Sequence, residues 1–475
     1  MRIERDVIIE KDVRIEKGER KMLQRAYDGL KILLFCLVVL MLTASFAAGM
    51  PLHPDLKTTV RVRAIELYRQ VKELSPQLDA PGPLRAPSGT YRALILLIDF
   101  SDDKGQTSPD QYRYLLFSLG IYPTGSMRDY YQEVSYRQFD LVGEVNGTID
   151  KPPDWFRMPQ AYTSYVGGQS GLGSYPNNAQ KLAEDAVIAA DPYVDYRLYD
   201  NNGDGEVDSL FILHAGPSAE ASSNPNTYIW SHRWEMENPP VLDGMKFKGY
   251  SMEPEYTRSP GDSTIGVFCH EYGHELGLPD LYDVGYSGGE GIGNWGVMSG
   301  GSWNGSQRGA RPAQFCAWSK MQLGWVTPIV SGANQIGVNI PQVETQGSIF
   351  LLWTNGAVGS QYFLVENRQK VLFDDGLPGS GLLIYHIDEQ VRRQDNPAHY
   401  KVDVEQADGA FDLNNGTNYG DDSDPWPGAS GKRYFNQGST PNSTDYNGHK
   451  TLVSVRNISN SASTMTADLF VSGSD

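Results

Sequence analysis

The chain has 475 residues, 40% of them hydrophobic and 11% aromatic, which is too much apolar material for a disordered chain and enough for one or two domains. Its 58 Asp and Glu against 40 Lys and Arg give a net charge of −18, which argues against nucleic acid and anionic membrane as partners and is compatible with calcium. Three cysteines are too few for a disulfide scaffold.

The one long apolar run, Ile32 to Leu42, follows Lys21, Arg25 and Lys31 and ends in small residues up to Gly49. That is the pattern of a secretory signal peptide over residues 1–49, with Met22 as an alternative start. The run is short for a membrane span, so export without stable membrane association is expected, and anchoring through residues 32–48 is the alternative. Residues 50–89 read as a pro-segment or N-terminal arm. Val60, Ala64, Leu67, Tyr68, Val71 and Leu74 recur there at helical spacing, before a Pro/Gly-rich linker over residues 75–89.

Residues 90–330 form the next block. Ala93 to Phe100 is an apolar run of strand length, and helical signals follow at 109–118, 126–136 and 177–190. In DNNGDGEVD, Asp200, Asn202, Asp204 and Asp208 stand at positions 1, 3, 5 and 9 of a calcium loop, with Gly205 at the turn. Phe211 stands where such a loop ends in Glu, so the match is incomplete and any calcium there is structural. Leu210 to Leu213, ending at His214, reads as a buried strand. A long polar loop is expected from there to about residue 262.

Residues 270–280, HEYGHELGLPD, carry the strongest signal. His270 and His274 are one helical turn apart and project from the same face. Two imidazoles so placed grip one Zn²⁺, and Glu271 beside them reaches a water on it as general base. Gly277 ends the helix, Pro279 cannot continue it, and the chain turns back so that Asp280 becomes a third ligand. One coordination position stays open, as catalysis requires. Cys269 and Cys316 either pair with each other or are buried thiols, and their apolar neighbours favour buried thiols. His232, Tyr282 and Tyr286 are candidates for a second polar group beside the metal.

From residue 331 the segments SIFLLW, QYFLVEN, GLLIYHID, YKVDVEQ, TLVSVRN and MTADLFV alternate with Gly/Asn/Asp turns, which predicts an antiparallel, sandwich-like β-rich region over 331–475. GDDSDPWPG (420–428) is expected as a solvated acidic turn.

HEYGHELGLPDLYD, GNWGVMSGGSW (293–303) and PAQFCAWSKMQLGW (312–325), with RALILLIDFSDD, SMRDYYQEVSYRQFDLVGEV, YFLVENRQ and GLLIYHIDE, resemble the immune inhibitor A-type metalloproteases from about residue 90 to the end. The resemblance implies a secreted zinc protease with His270, His274 and Asp280 as ligands and Glu271 as base. Asp280 stands where commoner metzincins have a third histidine. It also implies a metzincin-like α+β fold with a mixed sheet and an active-site helix, in which the strand ending at His214 borders the cleft and pairs with extended substrate over 208–216. Met298, 18 residues beyond Asp280, then takes the place of the methionine that forms an apolar floor under the metal in metzincins. The expectation is therefore a monomeric extracellular zinc endopeptidase acting on proteins or peptides. The rival expectation is a calcium-binding surface or adhesion protein with a silent protease-like domain, against which the presence of Glu271 speaks.

Overall fold

The computed structural model describes residues 48–56, 86–247 and 249–473. Residues 1–47 of the expected signal segment and the helical pattern of residues 60–74 lie outside these, while Ala48 and Gly49, at the end of that segment, are described. The largest sheet begins with β1 (Ala48–Gly49), β2 (Gly89–Asp99), β3 (Phe139–Val145) and β4 (Phe156–Arg157). A short β5 (Glu206–Val207) belongs to a separate small sheet, and β6 (Leu210–Pro217) and β7 (His232–Glu235) return to the large one. The small sheet is completed by the hairpin β8 (Val241–Leu242) and β9 (Met245–Phe247), and the large sheet by β10 (Gly249–Tyr256). The strand order is β1-β7-β10-β6-β2-β3, with β4 also on β2. Strands β3, β4, β2, β6 and β10 run parallel, while β7 is antiparallel to β10 and β1 antiparallel to β7.

Strand β2 shows why its sequence is an unbroken apolar run. Ala93, Ile95 and Leu97 face one core, and Leu94, Leu96 and Ile98 face another, so both sides of the strand are buried. The first core receives α1 (Pro109–Phe117) and α2 (Met127–Val134), and the second receives α3 (Ala179–Ala190). Ser126 and Asp129 form a reciprocal capping box that starts α2, and the Asn178 side chain caps α3. These elements lie where the helical signals and the apolar run place them. Helix α4 (Ile265–Glu275) packs on the first core, and its residues 265–274 are all buried.

Two expectations are corrected here. The stretch from 215 to 262 is not one polar loop, because it contains β7 and β10. Arg233 and Glu235 alternate with buried residues on the four-residue β7, and the buried polar side chains of Ser251, Glu253 and Glu255 hid β10. Strand β6 is also not available to substrate along 208–216. It is hydrogen-bonded to β2 on one side and β10 on the other, so no ladder edge remains. Beyond β10 the sheet continues through β7 to the edge strand β1.

The C-terminal region is strand-rich. Strands β11 (Ile329–Val330), β13 (Phe350–Leu352), β14 (Gln361–Arg368), β15 (Gly381–Asp388) and β16 (Val402–Val404) form one sheet in that order, and β12 (Gln335–Pro341), β18 (Thr464–Phe470) and β17 (Ser454–Arg456) form another. Leu364, Leu383, Tyr385 and Ile387 of the five-stranded sheet join the same core as α1, α2 and α4. Phe363, Val365, Leu382 and Ile384, on its other face, pack with Ile340, Val455, Met465 and Leu469 of the three-stranded sheet. One apolar core thus runs across residue 330, and residues 47–475 form one compact unit. No helix among the described residues is long and apolar enough to cross a membrane.

Candidate metal centre

The end of α4 builds the centre. Leu276 is its C-cap and Gly277 follows at φ +92°, a left-handed conformation that costs an L side chain energy. The Gly277 N–H donates to the His274 carbonyl at 2.9 Å and the Leu278 N–H to the Gly273 carbonyl at 3.0 Å, the two bonds of a Schellman motif. The chain reverses there and Pro279 leads it away from the helix. Asp280 Oδ1 then lies 3.1 Å from His270 Nε2 and 3.2 Å from His274 Nε2, and the two Nε2 atoms are 3.2 Å apart. Among the described residues this is the one group of three or more His, Cys, Asp or Glu side chains whose ligand atoms converge, all within 4.8 Å.

The other ring nitrogens decide what converges. His270 Nδ1 is 2.8 Å from the Val297 carbonyl and His274 Nδ1 is 2.8 Å from the Leu278 carbonyl. A carbonyl can only accept, so each Nδ1 carries the proton and each Nε2 turns a lone pair toward Asp280. Burial lowers the pKa of His270, which keeps that ring neutral. Two imidazole Nε2 atoms and a carboxylate oxygen form a donor set that suits a divalent cation of the zinc type.

Glu271 is fully buried, and neither of its carboxylate oxygens has a hydrogen-bond partner. Burial, then the charges of Glu253, Asp280 and Glu220, push its pKa up. Glu253, on β10, is equally buried and unpartnered, and it was not apparent from sequence because SMEPEY has no motif to flag it. Met298 is buried beneath the helix. A Cβ on Gly273 would come within 2.3 Å of its sulfur, so the thioether rests on bare backbone between the two histidines. The turn carrying Met298 is tied to the ligand segment by Leu281 N–H donating to the Met298 carbonyl at 2.7 Å. From below, Arg368 Nη1 on β14 donates to the Trp295 carbonyl at 3.0 Å. Trp295 Nε1 donates to Asp424 Oδ2 at 3.0 Å. Asp424 is buried, so the acidic turn at 420–428 is in part a brace for this loop, where a solvated turn was expected.

The remaining expected residues are placed as follows. Asp200, Asn202, Asp204 and Asp208 share one loop, but Asp200 accepts N–H groups of Gly203, Asp204 and Gly205, and Asp208 accepts the Asn201 N–H and the Asn202 amide. Cys269 and Cys316 are free and buried. His214 and His232 are fully interior, and burial drops each to a pKa of about 4. His232 bonds to the Trp230 carbonyl and the Tyr250 hydroxyl, which marks it as structural. Tyr282 lies beside the centre, with its ring 6.5 Å from that of His270 and its hydroxyl donating to the Gly49 carbonyl at 2.7 Å.

A mixed-sheet domain with a helix-borne His–His–Asp centre is the class that fold and site define. The family model "Immune inhibitor A peptidase M6, catalytic domain" matches residues 88–326, half of the chain, and the chain belongs to that family. It is 36% identical over 279 residues to the "Pre-pro-metalloprotease PrtV" of two strains of Vibrio cholerae serotype O1, covering 49% of this chain and 30% of that protein. It is 35% identical over 288 residues to "Immune inhibitor A" of Bacillus thuringiensis subsp. alesti, covering 51% of this chain and 41% of that protein. The chain thus spans well under half the length of the curated relatives it matches.

Proposed function

We propose that this chain is an exported zinc-dependent endopeptidase that hydrolyses peptide bonds of extracellular proteins. The observation that carries the reading is the convergence of His270 Nε2, His274 Nε2 and Asp280 Oδ1 beside a buried Glu271. In this reading the three side chains hold zinc, which supplies Lewis acidity and acidifies water. Glu271 takes the proton of the attacking water and hands it to the leaving nitrogen. The Tyr282 hydroxyl, already donating to a peptide carbonyl, stabilises the charge that grows on the carbonyl oxygen. Met298 and Gly273 hold the helix rigid beneath the histidines. The fold is then metzincin-like, and the C-terminal sheets pack as a sandwich. Export rests on the residue pattern of 1–49. The calcium loop supports less, because its carboxylates serve their own backbone, so zinc is the cation of this reading.

A silent adhesion protein would have no use for Glu271. The test is casein hydrolysis by the purified full chain, with and without a zinc chelator, beside Glu271→Ala. The expected loss in kcat/KM is on the order of 10²- to 10⁴-fold, with an unchanged melting curve. Activity within tenfold of the parent in that variant, or undiminished activity in chelator, overturns the assignment.

A further inference from the structure

Away from the residues of the metal centre, a cavity of about 760 Å³ opens at the seam between the two halves of the core. One wall is α2 with the loop before it, and the other is the β12–β13 connection with the turn after β14. The volume lies within the range of ligand-binding clefts. Among the described residues, three carboxyl side chains line it, those of Asp129, Glu133 and Glu344, against one cation, Arg137. Asp129 serves its own loop, accepting the Gly120 and Ser126 N–H groups at 2.8 and 2.9 Å. Glu133 is fixed in place, with Oε1 accepting the Gln314 amide at 2.7 Å and the Phe373 N–H at 3.1 Å. Glu344 is 2% exposed, and its Oε1 accepts the Gln369 N–H at 2.7 Å while its Oε2 has no hydrogen-bond partner. A buried carboxyl oxygen left without a donor is costly, and a ligand that brings a donor recovers that cost.

The cations behind the wall do not satisfy the two glutamates. Arg368 lies 3.7 Å from Glu344 but is divided among Glu344, Glu366 and Asp374. Lys320 Nζ donates to the Tyr136 hydroxyl at 3.0 Å and to the Gln314 amide oxygen, both neutral groups. Glu133, Glu344, Glu366 and Asp374 thus share two cations. Burial pushes Glu133 up to about 7 and raises Glu344 as well, so an entering cation competes with protons at both. Leu119 and Leu372, 49% and 47% exposed, give the opening an apolar rim.

We propose that this cavity is a docking site for a basic segment of a second polypeptide. One lysine or arginine side chain of that segment enters onto Glu133 and Glu344, and apolar neighbours rest on Leu119 and Leu372. The cationic donor supplies what Glu344 Oε2 lacks, and a charge-assisted bond away from bulk solvent gives the selectivity. The cavity is larger than one side chain fills, which favours a segment over a free amine. The net charge of −18 adds long-range attraction for such a partner. This goes beyond the peptidase reading and does not depend on it.

The test is fluorescence anisotropy on the full chain carrying Glu271→Ala, so that no probe is cut. The probes are labelled Gly-Leu-Ser-Arg-Ser-Leu-Gly and the same peptide with Lys, Gln or Glu in place of Arg. The Arg and Lys peptides are expected to bind, and the Gln and Glu peptides to bind about tenfold more weakly or worse. Glu133→Gln is expected to cost the Arg peptide about tenfold, and Arg137→Glu to strengthen it about threefold. Arg137 is exposed, so that variant reads the site even if Glu133→Gln does not fold. No saturable binding up to about 1 mM, binding indifferent to the peptide's charge, or affinity unmoved by Arg137→Glu overturns the proposal. Arginine amide competing at the peptide's own affinity makes the occupant a free cation and overturns it too. None of these outcomes bears on casein hydrolysis, which tests the peptidase reading alone.

Discussion

Each residue of the centre is fixed by a neighbour that can do only one thing. The Val297 and Leu278 carbonyls accept, so His270 and His274 present Nε2 lone pairs. Gly277 tolerates φ +92°, so the chain can reverse within three residues of His274 and bring Asp280 back. This part was legible in the sequence because it is local: helix pitch sets the histidines, and the Gly-x-Pro-Asp turn sets the carboxylate. Glu253 was not legible, since its position near Glu271 comes from the sheet register. Gly277→Ala places a Cβ in the left-handed region at a cost of about 1–2 kcal/mol and shifts Asp280. Denaturant melts should show that loss, and competition titration should show zinc affinity reduced at least tenfold. Parent values in both would mean that the turn does not position the ligand.

At the scale of elements, the strands that read clearly were those with both faces apolar, such as β2, or with clean turn signals, as in the C-terminal region. Strands β7 and β10 did not, because Arg233, Glu235, Ser251, Glu253 and Glu255 interrupt the pattern, and the partners that make them strands lie far away in sequence. Strands β7 and β10, which pack against α4, were therefore the elements that the sequence did not reveal. Strand β16 offers a test of buried charge elsewhere. Burial pushes Asp403 up to about 7 and the adjoining Glu405 up to about 8, while His386, paired across from Asp403, is lowered by burial to about 4 and stays neutral over most of the interval between. Both raised carboxyls hold protons in the fold that the unfolded chain, with carboxyl pKa values of about 4, has released. The stability they contribute is present below about pH 4 and is lost as pH rises through about 8. Asp403→Asn with Glu405→Gln should flatten the melting temperature between those limits; an unaltered slope would assign the pH dependence to other groups.

For the whole molecule, the C-terminal sheet is part of what holds the centre. Arg368 on β14 is completely buried among Glu344, Glu366 and Asp374 and reaches the Trp295 carbonyl in the loop that carries Met298. Removing one member of such a cluster leaves unpaired charge in the interior, so Arg368→Ala should cost about 3–5 kcal/mol in denaturant unfolding, with the loop above it loosened. A cost under about 1 kcal/mol would show that the cluster is dispensable. The most direct measurement of the central claim is the zinc content of the purified full chain by elemental analysis, beside His274→Ala. One zinc per chain in the parent and none in the variant is the predicted result; a metal-free parent, or a variant that keeps its zinc, would contradict the account.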